Sequence, residues 1–183
     1  MKYYLVLLVL ISSSLVQADG VKLSCSPEET QCINCPEYQT LFPIETFSED
    51  LGSLDIEANE SEILSNQNYK LTGDVIVKSD EFILSGDSVE VNADSETTIA
   101  KGNVLFQDSS FLISGDSLIA NRDKEENLIA TITNANYQDF ESGQGGANGF
   151  AEFVEKIPDG VILNNATYSL CPINQNDWLI DAK

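Results

Sequence analysis

The chain repeats itself at an interval of 29 residues, and few folds tolerate that. Lys70-Leu71-Thr72-Gly73-Asp74-Val75-Ile76-Val77, running on to Phe82-Ile83-Leu84-Ser85-Gly86-Asp87-Ser88-Val89, returns as Ala100-Lys101-Gly102-Asn103-Val104-Leu105-Phe106, running on to Phe111-Leu112-Ile113-Ser114-Gly115-Asp116-Ser117-Leu118. Gly73 to Gly102, Phe82 to Phe111 and Gly86 to Gly115 each keep the same 29-residue offset. A sustained period of this size marks stacked units, none of which buries its apolar face alone. Stacking gives an elongated body with a long groove, better matched to a long ligand than to a small one.

Within the unit the apolar period is two. Val75 and Val77 alternate with Asp74, Ile76 and Lys78, and Val89, Val91 and Ala93 alternate with Ser88, Glu90 and Asn92. The second copy keeps the phase through Val104 and Phe106, Phe111 and Ile113, then Leu118 and Ala120. That is the mark of half-buried strands. Ser-Gly-Asp-Ser is expected where the chain bends, with glycine supplying a positive φ and Asp and Ser bonding nearby backbone. A fainter echo links Ile132–Tyr137 with Leu163–Tyr168, and Pro158-Asp159-Gly160 between apolar runs signals a hairpin. No helical period is sustained beyond the first twenty residues, so the expected class is all-β.

The N-terminus reads as an export signal. Met1-Lys2 precedes an apolar run from Tyr3 to Leu15 and then Val16-Gln17-Ala18, with cleavage expected after Ala18. The run is short for a spanning helix. The expected organisation is a signal over 1–18, a flexible cysteine-bearing arm over 19–52, and one domain over 53–183. About 165 residues after cleavage suffice for one domain with a core.

Composition excludes several chemistries. The chain has no histidine, which removes the usual general base, the common triads and most zinc sites. Its net charge of −21 argues against nucleic acid. The nine basic residues are scattered, so an amphiphile with phosphates and acyl chains would be held mainly by its chains. Asp55 with Glu57, or Asp80 with Glu81, could be read as a glycosidase or calcium pair, but a solvated strand face fits so acidic a chain better. Gly143–Gly149 lacks a following Lys-Ser or Lys-Thr and reads as a loop rather than a phosphate cradle. No cofactor or metal is expected.

Four cysteines remain. Cys25, Cys32 and Cys35 cluster on the arm, and Cys171 stands near the C-terminus. In an oxidising compartment disulfides are expected. Cys32-Ile33-Asn34-Cys35 has CxxC spacing, but neither a βαβ context nor a second ligand pair accompanies it. A tether from the arm to another part of the protein is the better reading, and closing so long a loop stabilises by roughly 3–5 kcal/mol.

Gly73-Asp74-Val75 and Gly102-Asn103-Val104, each followed by Ser-Gly-Asp-Ser, resemble the lipopolysaccharide-transport β-jellyrolls (the organic-solvent-tolerance, OstA-like domain). Gly149-Phe150-Ala151-Glu152, then Asn165-Ala166-Thr167-Tyr168-Ser169-Leu170-Cys171-Pro172 and Asp177-Trp178, narrow the likeness to the N-terminal periplasmic domain of the LptD family. The resemblance covers about residues 53–182. It implies an open, V- or C-shaped β-jellyroll without enzymatic activity, on the periplasmic face of the outer membrane. Such a jellyroll receives lipid A acyl chains from a bridge of like-folded modules.

By that resemblance the inward apolar residues Val75, Val77, Val104, Phe106, Phe111 and Ile113 form the slide for lipopolysaccharide. The bridging jellyroll LptA docks by strand-edge pairing near Leu54-Asp55-Ile56. The lipoprotein LptE sits in the family's barrel, which would begin after Lys183, so the chain is expected to be part of a longer protein. Cys171 matches one family cysteine by motif, and one of Cys25, Cys32 and Cys35 matches its N-terminal counterpart. In the family these pair with two adjacent barrel cysteines. The alternatives are a stand-alone bridging module of the LptA type and, from a different class, an acidic β-helix enzyme acting on polysaccharide.

Overall fold

The computed structural model describes residues 39–47, 54–64, 68–92, 94–125, 127–140, 146–171, 173 and 179–182. The expected signal segment and Cys25, Cys32 and Cys35 lie outside them. Ten strands form one antiparallel sheet: β1 (Asp55–Glu57), β2 (Glu60–Ile63), β3 (Tyr69–Lys78), β4 (Ile83–Asn92), β5 (Thr97–Gln107), β6 (Phe111–Arg122), β7 (Leu128–Asp139), β8 (Asn148–Ile157), β9 (Gly160–Tyr168) and β10 (Ile180–Ala182). From β3 to β9 each strand pairs with the next, β1 and β2 both pair with β3, and β10 closes the far end on β9. The 29-residue repeat is therefore one long hairpin, β3–β4 and then β5–β6. Pro158-Asp159 joins β8 to β9, as the sequence signals.

The long strands do not run straight. The register slips between Thr72 and Val75, between Ser85 and Ser88, and between Lys101 and Val104. Asp74, Asn103, Asn134 and Asn165 all have φ near +48° (48, 47, 48 and 48°). Left-handed residues at such points bulge and bend a strand. Asn and Asp tolerate this conformation better than other side chains. Each bend is tied to a neighbouring segment by a carboxamide donating to a carboxylate: Asn59 to Asp74 at 3.2 Å, Asn103 to Asp87 at 3.0 Å, Asn134 to Asp116 at 2.7 Å and Asn165 to Glu152 at 2.6 Å. The pairs line up across the sheet as a crease that divides it into two limbs.

The glycines at the crease have two jobs, and the Ser-Gly-Asp-Ser expectation is corrected in one respect. Gly102, at φ +74°, supplies the left-handed turn with Asn103. Gly115, within Ser-Gly-Asp-Ser, does not adopt a positive φ. A Cβ there would lie 2.5 Å from Ile132 Cγ2 and 2.7 Å from Thr133 O, so its role is close approach of β6 to β7. Gly73 and Gly86 repeat this division in the first copy.

The limbs fold toward each other over the apolar face. Leu71, Val75, Val77, Leu84, Val89, Val104, Phe106, Ile113, Leu118, Ile132 and Val154 are buried in one cluster between them. The parity read from the sequence thus carries straight into the core.

A second buried layer lies on the opposite face. Lys78, Ile83, Gln107, Leu112, Gln138 and Asn148 are successive cross-strand partners, so they share one face. Residues 39–47, within the stretch read as the arm, cross this row. Leu41 N–H donates to Gln138 Oε1 at 2.7 Å, and Gln138 Nε2 donates to Gln39 O at 2.9 Å. Glu45 N–H donates to Gln107 Oε1 at 3.0 Å, and Gln107 Nε2 returns to Glu45 O at 2.8 Å. Lys78 meets the Glu45 carboxylate at 3.1 Å. Gln107 and Gln138 are each 2% exposed, and each satisfies its buried amide on the crossing strap.

Candidate functional site

The inner face buries one apolar cluster drawn from strands β3 to β9. Val75, Val77, Val104, Phe106 and Ile113 are buried on it, and Phe111 packs at its margin. All six residues singled out from the sequence therefore face inward. They divide by position. Val77 and Phe106 border a cavity of about 120 Å³ at the β1–β3 end, lined also by Leu54, Ile56, Leu84 and Leu118. Val75, Val104, Phe111 and Ile113 do not border it. Phe82 stacks against Phe106 at 6.2 Å between ring centroids, narrowing the interior there.

This apolar cavity meets a larger, more polar one of about 370 Å³, which shares Leu54, Phe82, Thr98, Ala120 and Leu128 with it. Its rim carries Asp80, Glu81, Glu96 and Arg122. An apolar interior behind a hydrophilic mouth sorts an amphiphile: chains inward, head group in water. Glu81 and Arg122 approach to 3.9 Å across this mouth.

Both ends of the sheet are short, exposed strands, β1 and β10. Leu54, Ile56 and Ile63 are exposed at the first end, and Leu179 and Ile180 at the last. Both terminal strands thus leave apolar side chains in solvent.

Near the C-terminal end Tyr137 donates to Thr167 O at 2.7 Å. Burial, and secondarily the neighbouring Tyr168, pushes its hydroxyl pKa up to about 12. Asn148 donates to Cys171 O at 2.7 Å, fixing the backbone of that cysteine beside β8. Cys171 is half-buried and joined by no disulfide to another described residue.

The weighed carboxylate pairs do not converge. Asp55 and Glu57 lie along β1 opposite Lys78 and Ile76, while Asp80 and Glu81 sit in the β3–β4 turn. Among the described residues no group of three or more His, Cys, Asp or Glu is placed to hold a metal ion. No described helix is long and apolar enough to cross a membrane.

Sequence reasoning missed Gln107, Gln138, Asp108 and Lys156. The two glutamines sit at outward parity, and their burial depends on a segment sixty or more residues away. Asp108 and Lys156 meet at 3.3 Å only because the limbs close.

The family model described as LptA/(LptD N-terminal domain) LPS transport protein matches residues 55–183. No curated protein sequence matches the chain significantly.

Proposed function

The chain belongs to the LptA/LptD N-terminal domain family of lipopolysaccharide transport proteins, and from that premise we propose that its two limbs carry the acyl chains of lipid A between them. The observation that carries this reading is the apolar cluster drawn from β3 to β9 on the inner face, with an apolar cavity at its β1–β3 end. Acyl chains in contact with Val75, Val77, Val104, Phe106, Phe111 and Ile113 are shielded from water. Burying a methylene contributes roughly 0.8 kcal/mol. The sugar and its phosphates stay in water, because a chain with a net charge of −21 and a rim carrying Asp80, Glu81 and Glu96 against Arg122 offers phosphate no net attraction.

The direction of travel follows from the edges. The exposed β1 end, with Leu54 and Ile56, accepts a like-folded bridging module of the LptA type by main-chain pairing. The β10 end hands the lipid toward the outer-membrane portion of the system, where the family's lipoprotein partner LptE belongs. Cys171, held beside β8, and a cysteine of the N-terminal segment are placed by this reading to link the jellyroll covalently to that portion. The reading favours work on the periplasmic face of the outer membrane and requires no catalytic group.

Photo-crosslinking residues introduced in cells at Phe106 and Phe111 should capture lipopolysaccharide. The outward positions Ile76 and Leu105 are the controls. Capture from the outward pair alone would refute carriage between the limbs.

A further inference from the structure

Lys156 sits on an apolar face. Its cross-strand partners are Ala130, fully buried, and Val161, packed against the core. Its side chain is only 12% exposed. The ammonium meets the Asp108 carboxylate at 3.3 Å and donates to Ile157 O. Asp108 is 14% exposed, and its Oδ1 accepts the amides of Ser110 and Phe111 at 2.8 and 2.7 Å. The carboxylate is thus oriented by its own turn, with Oδ2 left for the lysine.

Along the sheet these two groups are far apart. The row containing Lys156 passes through Ala130 to Ala120 on β6, while Asp108 closes its turn on Phe111 at the other end of β6. That interval corresponds to ~30 Å of strand. Folding at the crease removes it. The ion pair therefore joins the rim of one limb to the rim of the other, as Glu81 and Arg122 do in a more exposed setting.

Much of the proposed path is packed shut: Val75, Val104 and Ile113 are fully buried, and the apolar cavity beside Val77 and Phe106 measures about 120 Å³ before it meets the more polar one of about 370 Å³. An acyl chain reaches those buried residues only if the limbs part. A buried ion pair suits such a joint, because desolvation offsets most of its attraction, yet removing one partner leaves a costly lone charge. We propose that Asp108 and Lys156 form a latch between the limbs. Shut, it keeps the interior packed on itself. Open, it admits chains along the line between the β5–β6 turn and the end of β8. The use of the latch rests on the acyl-carrying reading; its geometry does not.

The test uses the full chain with Cys25, Cys32, Cys35 and Cys171 replaced by Ser. Spin labels go on Ser109→Cys and Asp159→Cys, on either side of the joint. Asp108→Asn removes the charge and keeps an oxygen for the two turn amides. Lys156→Met removes the ammonium and keeps an apolar stem. In each, without lipid, the label-to-label distance distribution should broaden toward longer separations. Uptake of cis-parinaric acid should be faster by about tenfold, the factor equivalent to ~1.4 kcal/mol. If a single variant fails to fold by circular dichroism, the double variant, with no buried charge left, serves in its place. Superimposable distributions in all the folded proteins overturn the latch. Opened distributions with no uptake in any protein, the parent included, sustain the latch and sink the acyl-carrying reading instead.

Discussion

Gln107 and Gln138 stand two strands apart in one cross-strand row, and each grips the main chain of the same crossing segment through a donor and an acceptor. The two glutamines thereby hold the strap through its main chain, while Lys78 reads one of its side chains, Glu45.

Replacing either glutamine by alanine removes two hydrogen bonds and opens a gap on the outer face. Each substitution should destabilise the domain by about 1–3 kcal/mol in urea unfolding. The two effects should be less than additive, because losing one clamp loosens the segment the other holds. The amides of Leu41 and Glu45 should lose hydrogen-exchange protection in both variants. Unchanged protection at both would show that the glutamines do not secure the strap.

The crease makes an unusual demand at Asn103. Asn103→Gly loses only the bonds to Asp87, whereas Asn103→Ala also places a Cβ in the left-handed region at φ 47°. Alanine should therefore be the worse substitution, by about 1 kcal/mol. Equal losses in thermal or urea unfolding would mean that the carboxamide bond, not the backbone conformation, sets the requirement.

Gly115 answers to space rather than to φ. Gly115→Ala forces a methyl against Ile132 and the Thr133 carbonyl, and should cost about 2–4 kcal/mol. In a double-mutant cycle Ile132→Ala, which removes the Cγ2 methyl, should recover part of that loss, by relieving the side-chain contact but not the backbone one. No recovery would place the whole penalty on the Thr133 carbonyl.

Tyr137 gives the domain an alkaline limit. Its folded pKa of about 12 lies above the ordinary tyrosine value of ~10. The unfolded chain thus releases this proton first as pH rises, and the contribution present below pH ~10 is lost between pH ~10 and ~12. The hydroxyl borders a cavity of about 290 Å³, so the loss is on the order of 1–2 kcal/mol. Tyr137→Phe should flatten stability against pH in that window. Parallel pH profiles for the two proteins would mean that the tyrosine proton is not coupled to folding.

The core was legible from sequence because period-two alternation maps directly onto one face of a pleated strand. Val75, Val77, Val104 and Phe106 needed no tertiary information to be placed inward. Ser-Gly-Asp-Ser is expected at the bend and does lie along the crease, but the left-handed residues are Gly73-Asp74 and Gly102-Asn103 of the glycine-valine repeat, which reads from the sequence as strand. Gln107 and Gln138 were not legible, because a polar residue at outward parity reads as solvated until something covers it. Asp108 and Lys156 were hidden for a related reason. Their contact exists only after a sheet with purely sequential neighbours has doubled over, and local pattern carries no record of that closure.

Because every bend is completed between a strand and its immediate neighbour, the crease has no fixed length. Duplicating one 29-residue segment in frame would add two strands, advance the trough by roughly 10 Å, and leave the fold line continuous on both sides of the insertion. The transport distance of such a protein is then set by copy number, an integer that evolution or an engineer can change at the crease, provided the added strands do not separate Gln107 from Gln138 or Asp108 from Lys156.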